Sequence, residues 1–295
     1  MTDTLRQHLM EKLREAKPNT TESSRKTYAS SIVNLFRAMD VKDPSIDWLK
    51  QHPDDVIKHL DQIEGRQQWK KTLLAGIYNL TKEPKYQKVM MEHTKAINDF
   101  YQSHKMSEKQ RRNVIEEGEI VRIYTDIKQR LVANATPANW VDFWIMSVMS
   151  GVAGMAPRRN EYASLKIRNY SKANDNYVMN VKGVPTFFFN QYKTVKKYGT
   201  QKEEMSPELR PYFKRWMTIN KGDYLFFNPR TYKPMSSSEL TKRVHHIFGG
   251  KKVGCDLLRS HYLTNKFGHV LKEQEEVAKA MGNSVDAQKM YIKTQ

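Results

Sequence analysis

Residues 137–161 read Pro137-Ala138-Asn139-Trp140-Val141-Asp142-Phe143-Trp144-Ile145-Met146-Ser147-Val148-Met149, then Ser150-Gly151-Val152-Ala153-Gly154-Met155-Ala156-Pro157-Arg158-Arg159-Asn160-Glu161. Pro137 suits the first turn of a helix. The run from Trp140 to Met149 is apolar on nearly every face, so it predicts a helix inside a globular core. It is too short to cross a bilayer, which takes about 20 apolar residues. Gly151 and Gly154 interrupt it, and Arg158 and Glu161 follow three residues apart. A guanidinium held beside a core needs a carboxylate to orient it, and its forked donors match phosphate oxygens. An ordinary surface Arg–Glu pair on a helix is the plain alternative.

Outward from this stretch, Ile120, Val121, Ile123, Tyr124, Ile127 and Leu131 predict a preceding helix over Glu119–Val132. Downstream, Tyr177-Val178-Met179-Asn180 and Thr186-Phe187-Phe188-Phe189 are strand-like. The segment from Gln191 to Gln201, with Lys193, Lys196 and Lys197, then reads as a basic turn of a small antiparallel sheet. Lys196 and Lys197 are candidate phosphate contacts. Ser206-Pro207-Glu208 and Ser236-Ser237-Ser238-Glu239 look like helix starts, and Tyr224-Leu225-Phe226-Phe227 looks extended. Asp256-Leu257-Leu258-Arg259 brings a second arginine into an apolar setting. Near the end, Met281-Gly282-Asn283 precedes Tyr291.

The first hundred residues read as helices. N-cap candidates over Asn19–Ser24 precede Tyr28, Ile32, Leu35 and Phe36 at helical spacing, and Asp43-Pro44-Ser45 and His52-Pro53-Asp54-Asp55 each open a new segment. The stripe through Trp69, Leu73, Leu74, Ile77 and Tyr78 leaves Arg66, Lys70 and Lys71 for an exposed, basic side, where they are candidate contacts for a polyanion. Residues 105–117, with Arg111 and Arg112, have little to bury and are expected to be a basic linker between domains at 1–104 and 118–295. The fold class is therefore mainly α with a small antiparallel sheet, in two domains.

Charge narrows the partner. The chain has 50 Lys and Arg against 32 Asp and Glu, a net charge of +18. Up to residue 117 there are 21 basic and 17 acidic residues, and beyond it 29 and 15, so the excess sits in the C-terminal part. Such an excess points to a polyanion, nucleic acid above all, without separating an enzyme from a binder. The single Cys255 excludes an internal disulfide framework and a Cys-rich zinc site. No apolar run predicts a membrane span. The first residues lack the apolar core of a secretory signal, so the expected setting is inside a cell or a virion.

Arg158-Arg159-Asn160-Glu161-Tyr162, Lys193-Thr194, Asp256-Leu257-Leu258-Arg259 and Met281-Gly282-Asn283 with Tyr291 resemble, in order, the boxes of the tyrosine recombinases, or phage-type integrases. The form is closest to recombinases of large eukaryotic DNA viruses and related mobile elements. The resemblance covers residues 119–291, while residues 20–100 share only the helical character of that family's core-binding domain. It implies that Arg158 and Arg259 clamp a phosphodiester, Glu161 supports Arg158, Lys193 (with Lys196 as a rival) is the general acid, and Tyr291 is the nucleophile. Two positions depart from the family pattern. Asp256 stands where His or Lys is usual and is expected to orient Arg259 or accept a proton, with His261 a substitute donor. Asn283 stands where His or Trp is usual, eight residues before Tyr291.

The resemblance further implies a site-specific recombinase or integrase acting on double-stranded DNA through a 3′-phosphotyrosyl bond. It implies a homo-oligomer on DNA, expected to be a tetramer, with no metal or nucleotide cofactor. Type IB topoisomerase-like relaxation and a catalytically inactive DNA-binding protein of the same fold are the alternatives. Only four residues follow Tyr291, too few for a helix exchanged with a neighbour. Either assembly uses another surface, or the natural chain extends beyond Gln295.

Overall fold

The computed structural model describes residues 2–292 except His104, Glu117 and Arg159. The expected domain boundaries at 104 and 117, the Arg159 of the Arg–Glu box and the tail 293–295 lie outside the described residues. The chain is mainly helical with one three-stranded antiparallel sheet. It divides into two compact units, Met1–Met106 and Ser107–Gln295.

The first unit comprises α1 (Thr2–Ala16), α2 (Glu22–Ala38), α3 (Ile46–Gln51), α4 (Pro53–Asp61), α5 (Gln67–Thr81) and α6 (Pro84–Gln102). Thr21 and Ser45 cap α2 and α3, and Pro53 and Pro84 open α4 and α6, where a missing N–H costs nothing. Leu9, Leu13, Ile32, Leu35, Leu49, Val56, Leu60, Leu73, Leu74, Ile77 and Tyr86 form one core. Buried Tyr86 donates its hydroxyl to the Leu49 carbonyl (2.7 Å), which ties α6 to α3. The α5 surface differs from its expected form. Lys70 is only 5% exposed, so it is no free phosphate contact, and Lys71 is half-buried. Arg66, left-handed at the start of α5, is exposed.

The second unit begins earlier than the linker reading supposed. Ser107 and Gln110 form a reciprocal capping box on α7 (Glu108–Arg112), and Ile115 is buried in the core of this unit. Asn113 accepts from the Lys252 N–H (2.8 Å). Residues 107–115 are thus held by the second unit, because one apolar side chain and one side-chain acceptor suffice to dock a short polar segment. Arg112 pairs with Glu108, and Arg111 is exposed.

Next come α8 (Glu119–Ala133) and α9 (Pro137–Met149), then three strands, β1 (Tyr177–Val181), β2 (Val184–Phe189) and β3 (Gln201–Glu204). The four-residue helix α10 (Val195–Tyr198) lies between β2 and β3. The chain finishes through α11 (Arg210–Ile219), α12 (Ser237–Ile247), α13 (Cys255–Ala280) and α14 (Val285–Tyr291). Every residue of α9 from Trp140 to Met149 is buried. Trp140 stacks on Trp216 of α11 (5.0 Å between centroids), and Phe143 packs on Tyr212 (4.5 Å). Asp142, the one carboxylate in that helix, is met by Arg243 of α12, whose Nε donates to it at 2.6 Å. Burial pushes the Asp142 carboxyl upward while Arg243 works against that shift. The helix start at Ser236 carries a full capping box with Glu239.

Candidate active site

Arg158 ends an irregular passage out of α9 that turns at Gly151 and Gly154, both at positive φ. Its guanidinium lies 3.9 Å from the centroid of the Phe189 ring and 5.4 Å from that of Tyr192. Nη2 donates to Gln201 Oε1 at 2.8 Å. Phe189 ends β2, Gln201 begins β3, and the two residues are paired in the ladder. The Arg158 cradle is therefore the end of the β2–β3 hairpin. Along β3 side chains alternate, so Gln201 and Glu203 share the inner face while Lys202 and Glu204 are exposed.

This arrangement differs from the expected pair with Glu161. Gln201 and the aromatic rings position Arg158, and among the described residues no Arg158–Glu161 ion pair forms. Stacking on a ring face leaves guanidinium N–H groups at its rim for an anion. Glu203 is the nearby carboxylate that the sequence did not reveal. Burial pushes its carboxyl up, while the Ala156 N–H and the charge of Arg158 pull it back.

Lys193 lies on the same β2–β3 connection, next in sequence to Tyr192, and is exposed, as are Lys196 and Lys197 of α10. Tyr192 pins the connection by donating its hydroxyl to the Gly199 carbonyl (2.6 Å). Lys193 and Arg158 thus belong to one end of the sheet.

Glu161 sits in a short 3-10 turn (Asn160–Ser164), and its Oε2 is buried without a hydrogen-bond partner among the described residues. The start of α13 comes close to that turn. Burial raises the Cys255 thiol to about 11; the charges of Asp256 and Glu161 add to this, and Arg259 opposes it. Arg259, one turn further along α13, is half-buried and approaches Asp256 at 4.0 Å. That pair is loose, with the Asp256 side chain 86% exposed. His261, on the next turn, is half-buried and contacts Asn265 through Nε2 (3.0 Å), with its pKa lowered chiefly by burial.

The fold places Arg158 against the hairpin that bears Lys193, and Glu161 near the start of α13, which carries Arg259. It does not bring Asn283 and Tyr291 there. α13 runs unbroken for 26 residues, so about 32 Å of helix separates Arg259 from Ala280. Asn283 is part of the turn that ends α13: its N–H donates to the Ala278 carbonyl (2.8 Å), and Gly282 supplies the left-handed residue. Gln288 of α14 touches Met281 (Nε2 to Sδ 3.9 Å), which keeps α14 at the far end of α13. Tyr291, 68% exposed and one turn beyond Gln288, lies roughly 20 Å or more from Arg259.

Among the described residues, no cluster of three or more His, Cys, Asp or Glu side chains is arranged to hold a metal ion. None of the described helices is long and apolar enough to cross a membrane. Compared with protein-family models, curated proteins and solved structures, the chain has no match.

Proposed function

We propose that the chain is a site-specific DNA recombinase that breaks and rejoins strands through a tyrosine–DNA bond. What supports this reading is Arg158 held against the β2–β3 hairpin that also bears Lys193, with Glu161 near the start of α13, which carries Arg259. The order of the boxes and the net charge of +18 support it. Two guanidiniums on the non-bridging oxygens offset the charge that builds on phosphorus in the transition state. The Tyr291 oxygen attacks phosphorus and loses its proton, the P–O bond to the 5′-oxygen breaks, and Lys193 protonates that leaving oxygen. The 3′-phosphotyrosyl ester conserves the bond energy, and attack by a 5′-hydroxyl reverses the step on the same or another duplex.

Double-stranded DNA is the proposed partner, in a homo-oligomeric complex of up to four copies. The exposed Lys196, Lys197 and Arg111 and the half-buried Lys71 would supply phosphate contacts. The remote position of Tyr291 favours one second reading, a DNA-binding protein of the same architecture that does not cleave.

One assay separates the two. The protein is incubated with a pool of nicked duplexes of varied sequence, and denaturant-resistant protein–DNA adducts are sought. The recombinase reading expects an adduct that disappears in Tyr291→Phe and persists in excess chelator. DNA binding with no adduct on any duplex supports the second reading.

A further inference from the structure

β3 is an edge strand without an apolar side chain, and it turns one carboxylate inward. Glu203 stands opposite Phe187 in the ladder and shares the inner face with Gln201, which accepts from Arg158 at 2.8 Å. Glu204, on the outer face, is exposed and approaches Arg210 at 3.6 Å. An inward charge on an edge strand can serve simply to discourage pairing with another sheet. That role asks for no particular neighbours.

Glu203 has particular neighbours, and they are donors and a cation. Against the burial that raises its carboxyl act the Ala156 N–H, two residues before Arg158, and the charge of Arg158 itself. Tyr162, edge-on to Phe187 and Phe189, brings a buried hydroxyl that has no hydrogen-bond partner among the described residues. Burial pushes that phenol up, and of the charges around it Glu203 adds most. Glu161 contrasts with this. Its Oε2 is buried without a partner among the described residues, and its charge acts on Cys255 at the start of α13.

Contact and charge at Arg158 are thereby divided between two residues. Among the described residues Arg158 and Glu203 make no ion pair. Gln201, a neutral acceptor, takes one guanidinium N–H, and Glu203 supplies negative charge from two residues further along the same face. A carboxylate in direct contact would take two N–H groups in a fork and neutralise the arginine where a phosphate has to bind. A neutral contact with the charge set back holds the side chain and leaves those groups free. We propose that Glu203, and not Glu161, is the carboxylate that positions Arg158 for a phosphate. The coupling of Glu203 to Arg158 stands on the hairpin alone, while its use in catalysis rests on the strand-transfer reading.

Melting of the second unit within the full chain, at pH 8 and without DNA, tests the coupling. Glu203→Gln and Glu161→Gln are each made alone and beside Arg158→Met. Glu203→Gln keeps the size of the side chain and an acceptor for the Ala156 N–H, and removes only the charge. Its effect on Tm is expected to be more favourable beside Arg158→Met than alone, by about 2–4 °C, because the variant arginine position no longer balances the carboxylate. Glu161→Gln is expected to shift Tm equally in both backgrounds. Equal shifts for Glu203→Gln, or unequal ones for Glu161→Gln, overturn the assignment.

Adduct formation and duplex affinity, measured side by side, test the use. Glu203→Gln is expected to form adduct about tenfold more slowly while binding duplex no more weakly, since it loses the placement of Arg158 and none of the positive charge. A rate equal to wild type, or a parallel loss of affinity, overturns the positioning role. If wild type forms no adduct on any duplex, the strand-transfer reading falls and this role with it. The melting comparison then still decides whether Glu203 is the carboxylate coupled to Arg158.

Discussion

Replacing Arg243 with Met removes the counter-charge of Asp142 while keeping a long apolar stem in its place. The Asp142 side chain is 3% exposed, and Arg243 is its nearest cation, with Nε at 2.6 Å. Breaking a buried pair from one side costs about 3–5 kcal/mol, because the remaining charge loses both water and partner. The Arg243 side chain is itself 23% exposed, so the lower end applies, about 3 kcal/mol for Arg243→Met at neutral pH. For a unit of this size that corresponds to a fall in Tm of about 6–12 °C.

The pH dependence has a definite sign. Burial raises the Asp142 carboxyl in the folded state and Arg243 restrains it. A raised acid favours the folded state at low pH, where it is protonated, and costs stability as pH rises from its ordinary range through its folded value. Without Arg243 that cost grows, so the difference between variant and wild type should be largest near pH 7. It should shrink towards about 1 kcal/mol, the worth of the lost hydrogen bonds, near pH 4. Urea unfolding read by the fluorescence of Trp140, Trp144 and Trp216 measures it. The combination Asp142→Asn with Arg243→Met should recover most of the loss. A penalty under about 1 kcal/mol at pH 7, or one equal at both pH values, refutes the reasoning. The site is involved as well, since α12 packs against the turn that bears Glu161.

Other outcomes follow from the same geometry. Gln201→Leu should slow adduct formation by roughly tenfold while Arg158→Ala slows it about 100-fold or more, and the two together should equal Arg158→Ala, because Gln201 acts only through the guanidinium. Lys193→Ala should lose about 100-fold on an ordinary phosphodiester and regain most of that on a substrate whose leaving atom is sulfur, which departs without a proton; no recovery would move Lys193 out of the general-acid role. Cys255, half-buried with its thiol at about 11, should react slowly with a disulfide reagent at pH 8 and quickly once the protein is unfolded. Gly151→Ala should destabilise the second unit, since φ is +88° there and an added Cβ would stand 2.3 Å from the Tyr262 ring; thermal melting checks it.

Much of the local architecture is legible in the order of residues. Pro137 at a first helical turn, the Ser236–Glu239 capping box and the unbroken apolar run of α9 each depend on groups within a few residues of one another. Chain order alone displays such groups. The β-branched and aromatic runs that mark β1 and β2 are of the same kind. The β3 strand, Gln201-Lys202-Glu203-Glu204, carries no apolar residue, and only its pairing with β2 makes it a strand.

The candidate site divides along the same line. Arg158, Glu161, Lys193 and Arg259 could be named from residue type and order, because a phosphodiester demands cations and a proton donor whatever holds them. What holds them could not. Gln201 lies 43 residues from Arg158, and Phe189 and Tyr192 read as strand and turn residues until the hairpin closes over the guanidinium. Lys70 looked exposed because helical spacing gives a face without saying how far neighbouring helices wrap around it. Tyr291 shows the sharpest division. Its residue type makes it a candidate nucleophile, whereas its distance from Arg259 follows from α13 running straight for 26 residues. Gly268 lies within that helix rather than ending it.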